Sequence, residues 1–265
     1  MVKETRPTGT QAVERSIHLL KLLATRGTFG WGLTDLARRS GLEKATVHRI
    51  LAALEAQRLA RHDRREHRYY PGPMLLELGL SVPTHQPLIS EGQAAAARLA
   101  QRMRCVAFFY LRSGHEFVVA CRAGPSARGG MLIEVGHRRP LIVSAGGVAM
   151  LVAMPAEERQ TVVQRNMLDV AAMGTAKPER FVRMLERSIP LGYAANLEDI
   201  VVGIHAFGIV LRDAGGNAMG SVSLAGPPER LLAASADKIV RLLAQETTDL
   251  AACAARVPAT TFTAG

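Results

Sequence analysis

The 265-residue sequence has little of what staples small or secreted folds. It contains 3 cysteines, Cys105, Cys121 and Cys253, an odd and sparse set that excludes a disulfide framework. The first residues, MVKETRPTGT, lack the apolar core of a signal peptide. Free thiols in a reducing cytoplasm are the expectation. No apolar run approaches the roughly 18 residues of a membrane span, and no basic amphipathic helix carries aromatic anchors, so a membrane partner is not expected. Catalytic signatures are missing too: there is no GxSxG, GxxxxGK[ST], HExxH, or GxGxxG after a strand. The 8 histidines do not fall at ligand spacing with Cys or carboxylates, and His62 and His67 lie in a charged run that faces solvent or phosphate more readily than zinc. No metal, cofactor or enzymatic activity is expected. Internal repeats and low-complexity tracts are also absent.

Positive charge is in excess, with a formal net charge of +10. It is concentrated early: residues 1–82 carry 14 Lys and Arg against 8 Asp and Glu. That imbalance points to a polyanionic partner for the first segment.

The stretch from Leu33 to Tyr70 says which one. Leu33, Leu36 and Ala37 mark one face of a short helix with Thr34 as a candidate N-cap, and Gly41 suits the left-handed residue that ends it. A second helix starts near Glu43. Val47, Ile50, Leu51 and Leu54 fall on one side of its 3.6-residue wheel, while Ala45, Arg49 and Ala52 point the other way and Thr46 and His48 flank them. Small and cationic groups opposite a buried stripe suit a DNA major groove. Arg61, Arg64, Arg65 and Arg68 follow, then Tyr69 and Tyr70, the pattern of a two-stranded wing whose tip meets phosphates. An ordinary helical hairpin followed by a solvated charge run is the plainer alternative; the turn spacing, the cationic face and the basic wing together favour the winged helix-turn-helix.

The rest of the chain has a different texture. A first helix spans about Gln11–Ala24, with Val13, Ile17, Leu20 and Ala24 on one face. Pro71-Gly72-Pro73 breaks the chain before an apolar linker helix, Met74–Ser81, whose exposure would call for dimer packing. Pro83 and Pro87 bracket a connector. Beyond it come a helix at Glu91–Met103, a hairpin of Val106–Leu111 and Phe117–Arg122, a third strand at Met131–Val135, and a Gly146-Gly147 loop entering a buried helix. Helices near Ala156–Arg165 and Pro178–Ser188, a hairpin of Gly203–Leu211 and Met219–Leu224, and a long closing helix at 229–255 complete an α+β layout with an antiparallel sheet. The expected boundaries are a basic arm at 1–10, the winged helix-turn-helix at 11–72, linker and connector at 73–87, an effector domain at 88–256 and a tail at 257–265.

From about Gln11 to Ala254 the sequence resembles the IclR family of bacterial transcriptional regulators. The resemblance rests on Leu33 to Leu54, on Tyr70 to Gly79, on Val135-Gly-His-Arg-Arg-Pro140 with Ser144-Ala-Gly-Gly147, and on Gly192-Tyr193, Gly203-Ile204 and Ser223-Leu-Ala-Gly-Pro227. It implies a GAF-like effector domain, a homodimer or dimer of dimers, a double-stranded DNA operator, and a small organic acid or aromatic metabolite as ligand, with either repression or activation as the outcome. Several positions depart from the family pattern. Glu43 and Ala45 stand where Pro and Ser are common. Ile142, Gly146 and Val148 replace His, Leu and Lys. His205 replaces Arg, Ala206 replaces Cys, Ala225 replaces a second Ser, and Asn196 stands where Asp is common. A less polar pocket follows, leaning toward a larger or aromatic ligand.

The candidate DNA-binding residues are Thr34, Lys44, Ala45, Thr46, His48, Arg49, Arg64 and Arg65. The candidate effector-binding residues are Tyr110, Cys121, Gly146, Gly147, Asn196, His205 and Ser223, with Phe108, Ile200 and Phe207 as apolar wall. Cys121 can equally be a small buried hydrophobe, and strand alternation lets only some of these side chains face inward. Two other readings stand beside the effector-responsive regulator: a constitutive DNA-binding dimer whose second domain only oligomerises, and an enzyme carrying a DNA-binding module, for which Ser144 has no His or Asp partner that the sequence can place nearby.

Overall fold

The computed structural model describes residues 10–27, 29–82, 85–125, 133–172, 177–232 and 234–257. The chain divides into two compact units, Met1–Pro83 and Thr84–Gly265. The arm expected at 1–10 and the tail expected at 257–265 lie outside the described residues except at Thr10 and Val257, and Val257 is buried in the second unit's core.

The first unit runs α1 (Gln11–Ala24), β1 (Trp31–Gly32), α2 (Leu33–Ser40), α3 (Lys44–Ala56), β2 (Ala60–Asp63), β3 (Arg68–Pro71) and α4 (Met74–Leu80). The expected wing is present as β2 and β3, and β1 pairs on the other side of β3, giving an antiparallel sheet of order β1-β3-β2. Gly41 ends α2 in the left-handed conformation at φ 69°. Thr34 is not the cap of α2: Gly32, extended at φ −71° and ψ 147°, holds that position.

Leu36 of α2 and Val47, Leu51 and Leu54 of α3 meet Trp31 and Tyr69 in one core. The α1 face differs from expectation. Leu19, Leu22 and Leu23 enter the core, whereas Val13 is 58% and Ile17 48% exposed. A Leu-rich helix carries two apolar stripes, each compatible with a 3.6-residue period, and only packing chooses between them. Helix α4 has no buried residue and exposes Leu76, Leu78 and Leu80. It is tied to the wing domain by Arg58, whose Nη2 donates to Glu77 Oε1 at 2.5 Å and whose carbonyl accepts from Met74 N at 3.1 Å.

The second unit is a six-stranded antiparallel sheet of order β6-β5-β4-β9-β8-β7, helices on both faces. Its elements are α5 (Gln86–Met103), β4 (Val106–Ser113), β5 (Glu116–Ala123), β6 (Arg138–Pro140), a 3-10 turn (Leu141–Val143), α6 (Ala145–Ala153), α7 (Ala156–Ala172), α8 (Glu179–Leu191), β7 (Ala194–Leu197), β8 (His205–Arg212), β9 (Ala218–Gly226), α9 (Pro228–Leu232) and α10 (Ala236–Ala254). Leu99 of α5 and Leu243 of α10 pack on one face with Phe109, Cys121 and Leu224. Val148 and Met150 of α6, with Phe181 and Met184 of α8, cover the other with Phe108 and Tyr110.

Four expectations change. The third strand is β6, not Met131–Val135: residues 131–132 are outside the described set, and Ile133–Val135 is not strand. Helix α5 begins five residues early and takes Pro87 into its first turn, where a missing N–H costs nothing. The closing helix is two helices, because Ser235 interrupts it and caps α10 by accepting from Lys238 N. Strand β7, four residues long, was not expected at all.

Candidate functional site

In the first unit, the faces of α3 separate as the periodicity requires. Val47 and Leu51 are fully buried, while Lys44, Ala45, His48 and Arg49 are exposed and Thr46 is half-buried. No side chain caps the helix at Glu43, which leaves first-turn amides available to an anion. Thr34 is exposed at the second position of α2.

The wing is stiffened from within. Asp63 Oδ1 accepts from the backbone N–H of Arg65 at 3.0 Å and of Glu66 at 3.1 Å, closing the turn. Those bonds, Glu66 first, hold the Asp63 carboxyl below its ordinary range. Tyr70 donates its hydroxyl to Glu66 at 2.5 Å, Arg61 lies 4.4 Å over the Tyr70 ring, and His62 stacks on Tyr69 at 4.2 Å. Arg68 donates to the carbonyls of Phe29 and Gly30. Arg61 and Arg68 are thus engaged in the fold. Arg64 and Arg65 are exposed at the tip and form no ion pair among the described residues.

In the second unit, a cavity of about 90 Å³ opens between the sheet and the start of α6. Phe108 and Tyr110 of β4, Ser223 and Ala225 of β9 and Ala206 of β8 line it, all on one sheet face because Phe108 registers with Ser223 and Ala206 with Ala225. Val143, Ser144 and Ala145 close one side, Ile200 and Val201 another, and Arg139 of β6 reaches in from the sheet edge. Tyr110 is fully enclosed; burial pushes its phenol well above the ordinary range, against a hydrogen bond from Ser223 and the charge of Arg139. It therefore stays a protonated donor. Burial also lowers the Arg139 pKa, because a cation loses hydration there.

Among the expected effector residues, Tyr110, Asn196 and Ser223 do line the cavity, as do Phe108 and Ile200. Asn196 spends its polar atoms on the chain itself. Its Oδ1 accepts from Asp199 N at 2.9 Å and Ile200 N at 3.2 Å, folding the turn that carries Ile200 to the wall.

Five candidates fall elsewhere. A β-bulge between Phe109 and Tyr110 pairs Phe109 with Cys121 and Tyr110 with Val119, so Cys121 faces the α5 side. Its thiol bonds Ile89 O at 3.3 Å and is pushed up to about 11 by burial. His205 shares its strand face with Phe207, opposite Ala206, and its Nε2 lies 3.8 Å from Glu198; Phe207 is excluded for the same reason. Gly146 and Gly147 serve packing. A Cβ at Gly146 would lie 2.3 Å from the Tyr110 ring, and one at Gly147 1.9 Å from the Leu141 carbonyl oxygen. The Gly147 amide is taken by Ser144 Oγ at 2.9 Å, which caps α6.

Sequence reasoning missed Arg139, Val143, Val201 and the cap role of Ser144. The available signal was strand alternation through Arg138-Arg139-Pro140, obscured by placing the strand at 131–135. Among the described residues, no group of three or more His, Cys, Asp or Glu could hold a metal, and no helix is long and apolar enough to cross a membrane.

Comparison with known proteins follows this division. Residues 12–64 match the family model of the IclR helix-turn-helix domain, and residues 81–252 that of the bacterial transcriptional regulator IclR C-terminal domain. The HTH-type transcriptional repressor AllR of Escherichia coli K12 is 24% identical over 224 residues, 84% of this chain and 82% of AllR. An IclR transcriptional regulator from Alicyclobacillus acidocaldarius superposes with a TM-score of 0.71 at 21% identity, covering 92% of this chain and 98% of that one. An IclR homologue from Microbacterium hydrocarbonoxydans, solved in complex with 4-hydroxybenzoate, gives a TM-score of 0.67 at 19% identity, covering 92% and 98%.

Proposed function

The chain belongs to the IclR family of bacterial transcriptional regulators, and from that premise we propose that its operator binding answers to a small organic acid held in the cavity of the second unit. The chain is a DNA-binding transcriptional regulator. For the DNA contact we assign Lys44, Ala45, Thr46, His48 and Arg49 to the groove, with Thr34, Arg64 and Arg65 on phosphates. Exposed cations and small residues opposite a buried stripe support this reading.

The observation that carries the effector reading is the cavity itself. It joins an apolar wall, Phe108, Val143, Ile200 and Ala225, to convergent polar groups at Tyr110 and Ser223, the usual make-up of a small-molecule site. The bound 4-hydroxybenzoate of the Microbacterium homologue makes an aromatic acid a rational first probe. The volume favours a compact ligand: a benzene-sized cavity measures roughly 150 Å³, so an aromatic ring requires the wall to yield at Ile200 and Val201. The exposed apolar surfaces of α1 and α4 support assembly as a homodimer or dimer of dimers.

The test is direct. Aliphatic and aromatic acids are screened by thermal shift, hits are confirmed by calorimetry, and operator affinity is measured by fluorescence anisotropy with and without each hit. A hit that changes operator affinity is the expected result. Binding with unchanged operator affinity, or no binding, would favour a constitutive DNA-binding protein.

A further inference from the structure

Arg138 and Arg139 are adjacent on β6 but face opposite sides of the sheet. Arg138 registers with Val118; its Nη2 donates to Glu116 Oε2 at 2.8 Å and to Ser113 Oγ at 3.0 Å. Its charge is neutralised within the fold. Arg139 registers with Phe117, on the face that holds Tyr110, and lines the cavity. It forms no ion pair among the described residues, and the cavity wall contains no Asp or Glu among them. Residues 126–132, which precede the lining residue Ile133, contain no acidic side chain either.

The other polar side chains of the wall are uncharged and can each donate. Ser144 Oγ accepts the Gly147 N–H and keeps its own proton to offer. Asn196 Oδ1 is occupied by two backbone amides. Tyr110 is protonated and bonded with Ser223. A partly buried cation beside neutral hydroxyls, with no carboxylate on the described wall, suits an anionic acceptor from outside the chain.

We propose that Arg139 selects the effector's charge: its guanidinium receives a carboxylate of the ligand inside the cavity, and the uncharged isostere of the same molecule is rejected. This rests on the effector reading above and names the residue that makes the ligand an acid.

The experiment uses the full-length protein as wild type, Arg139→Met and Arg139→Lys. The probes are matched pairs: benzoate with benzamide, 4-hydroxybenzoate with 4-hydroxybenzamide, and pyruvate with pyruvamide. Calorimetry gives Kd, and melting curves without ligand give stability. In the wild type at least one acid binds about tenfold or more tighter than its amide, the scale of a charge-assisted bond. Arg139→Met removes that preference through loss of acid affinity, and Arg139→Lys restores part of it. Without ligand, Arg139→Met melts no lower than wild type, since an unpaired cation has left a partly buried place. Acids that bind Arg139→Met as tightly as wild type, or amides that bind wild type as tightly as acids, would overturn the assignment while leaving the effector reading intact. A clearly lowered melting temperature for unliganded Arg139→Met would make Arg139 a structural residue and overturn it too. If no probe of either kind binds wild type, the effector reading fails and this inference fails with it.

Discussion

Arg187 of α8 holds Asp199 with both terminal nitrogens, Nη1 to Oδ2 at 2.6 Å and Nη2 to Oδ1 at 3.0 Å. Asp199 also accepts from Leu197 N and sits in the turn that presents Ile200 to the cavity. One ion pair thus fastens a helix to a wall of the cavity.

Burial alone would raise the Asp199 pKa, but Arg187 and the Leu197 amide outweigh it and hold the carboxyl below 3.8. A lowered folded-state pKa gives stability that is present above the unfolded value and is lost as pH falls through the folded one. Asp199→Asn should therefore cost about 2 kcal/mol at pH 7, the scale of bonds to a charged group. The gap between wild type and variant should close below about pH 4 in urea melts. A gap that stays constant from pH 7 to pH 3 would count against the assigned role.

On α3, Arg49 is exposed opposite the Val47 and Leu51 stripe. Arg49→Ala should leave the melting temperature unchanged and weaken specific operator binding by roughly 1–3 kcal/mol. Equal operator affinity by anisotropy would mean that the wrong face of the helix has been assigned.

The wing arginines should separate into two classes. Arg64→Ala should weaken specific and non-specific DNA binding alike, lowering the salt slope by about one unit at little cost in stability. Arg68→Ala should lower stability as well, because it removes the bonds to Phe29 and Gly30. Salt titrations paired with thermal melts check both; identical behaviour of the two variants would refute the distinction.

Leu76 on α4 is 69% exposed and Leu78 53%. Leu76→Glu or Leu78→Glu should leave the secondary structure intact and reduce self-association in sedimentation velocity, since a buried charge at an apolar contact is costly. An unchanged sedimentation coefficient across a hundredfold concentration range would place the contact elsewhere.

Ser223→Ala should cost about 1–2 kcal/mol of effector affinity, the scale of one buried hydrogen bond left unmade, while operator affinity without effector stays as in wild type. Calorimetry showing undiminished affinity would remove Ser223 from the ligand's contacts.

Local signals in the sequence settled much of this. Gly41 sets the left-handed end of α2, because a residue without Cβ takes φ 69° cheaply. The 3.6-residue stripe of Val47, Leu51 and Leu54 oriented α3. The apolar run from Val106 to Leu111 and the alternation of Val222, Ser223 and Leu224 marked strands. Each of these depends on a residue's immediate neighbours along the chain, so each is written in the sequence. What the chain could not declare depends on which strand meets which. The bulge at Phe109/Tyr110 put Cys121 on the far face. The three-residue pairing of β6 turned Arg138 toward Glu116 and Arg139 into the cavity. The choice between the two apolar stripes of α1 belonged to Leu36, Val47 and their neighbours. Register flips every side chain when it moves by one residue, and it is fixed by contacts between segments far apart in sequence. The exposed face of α3 could therefore be read from the sequence alone, whereas the cavity needed the sheet to be assembled.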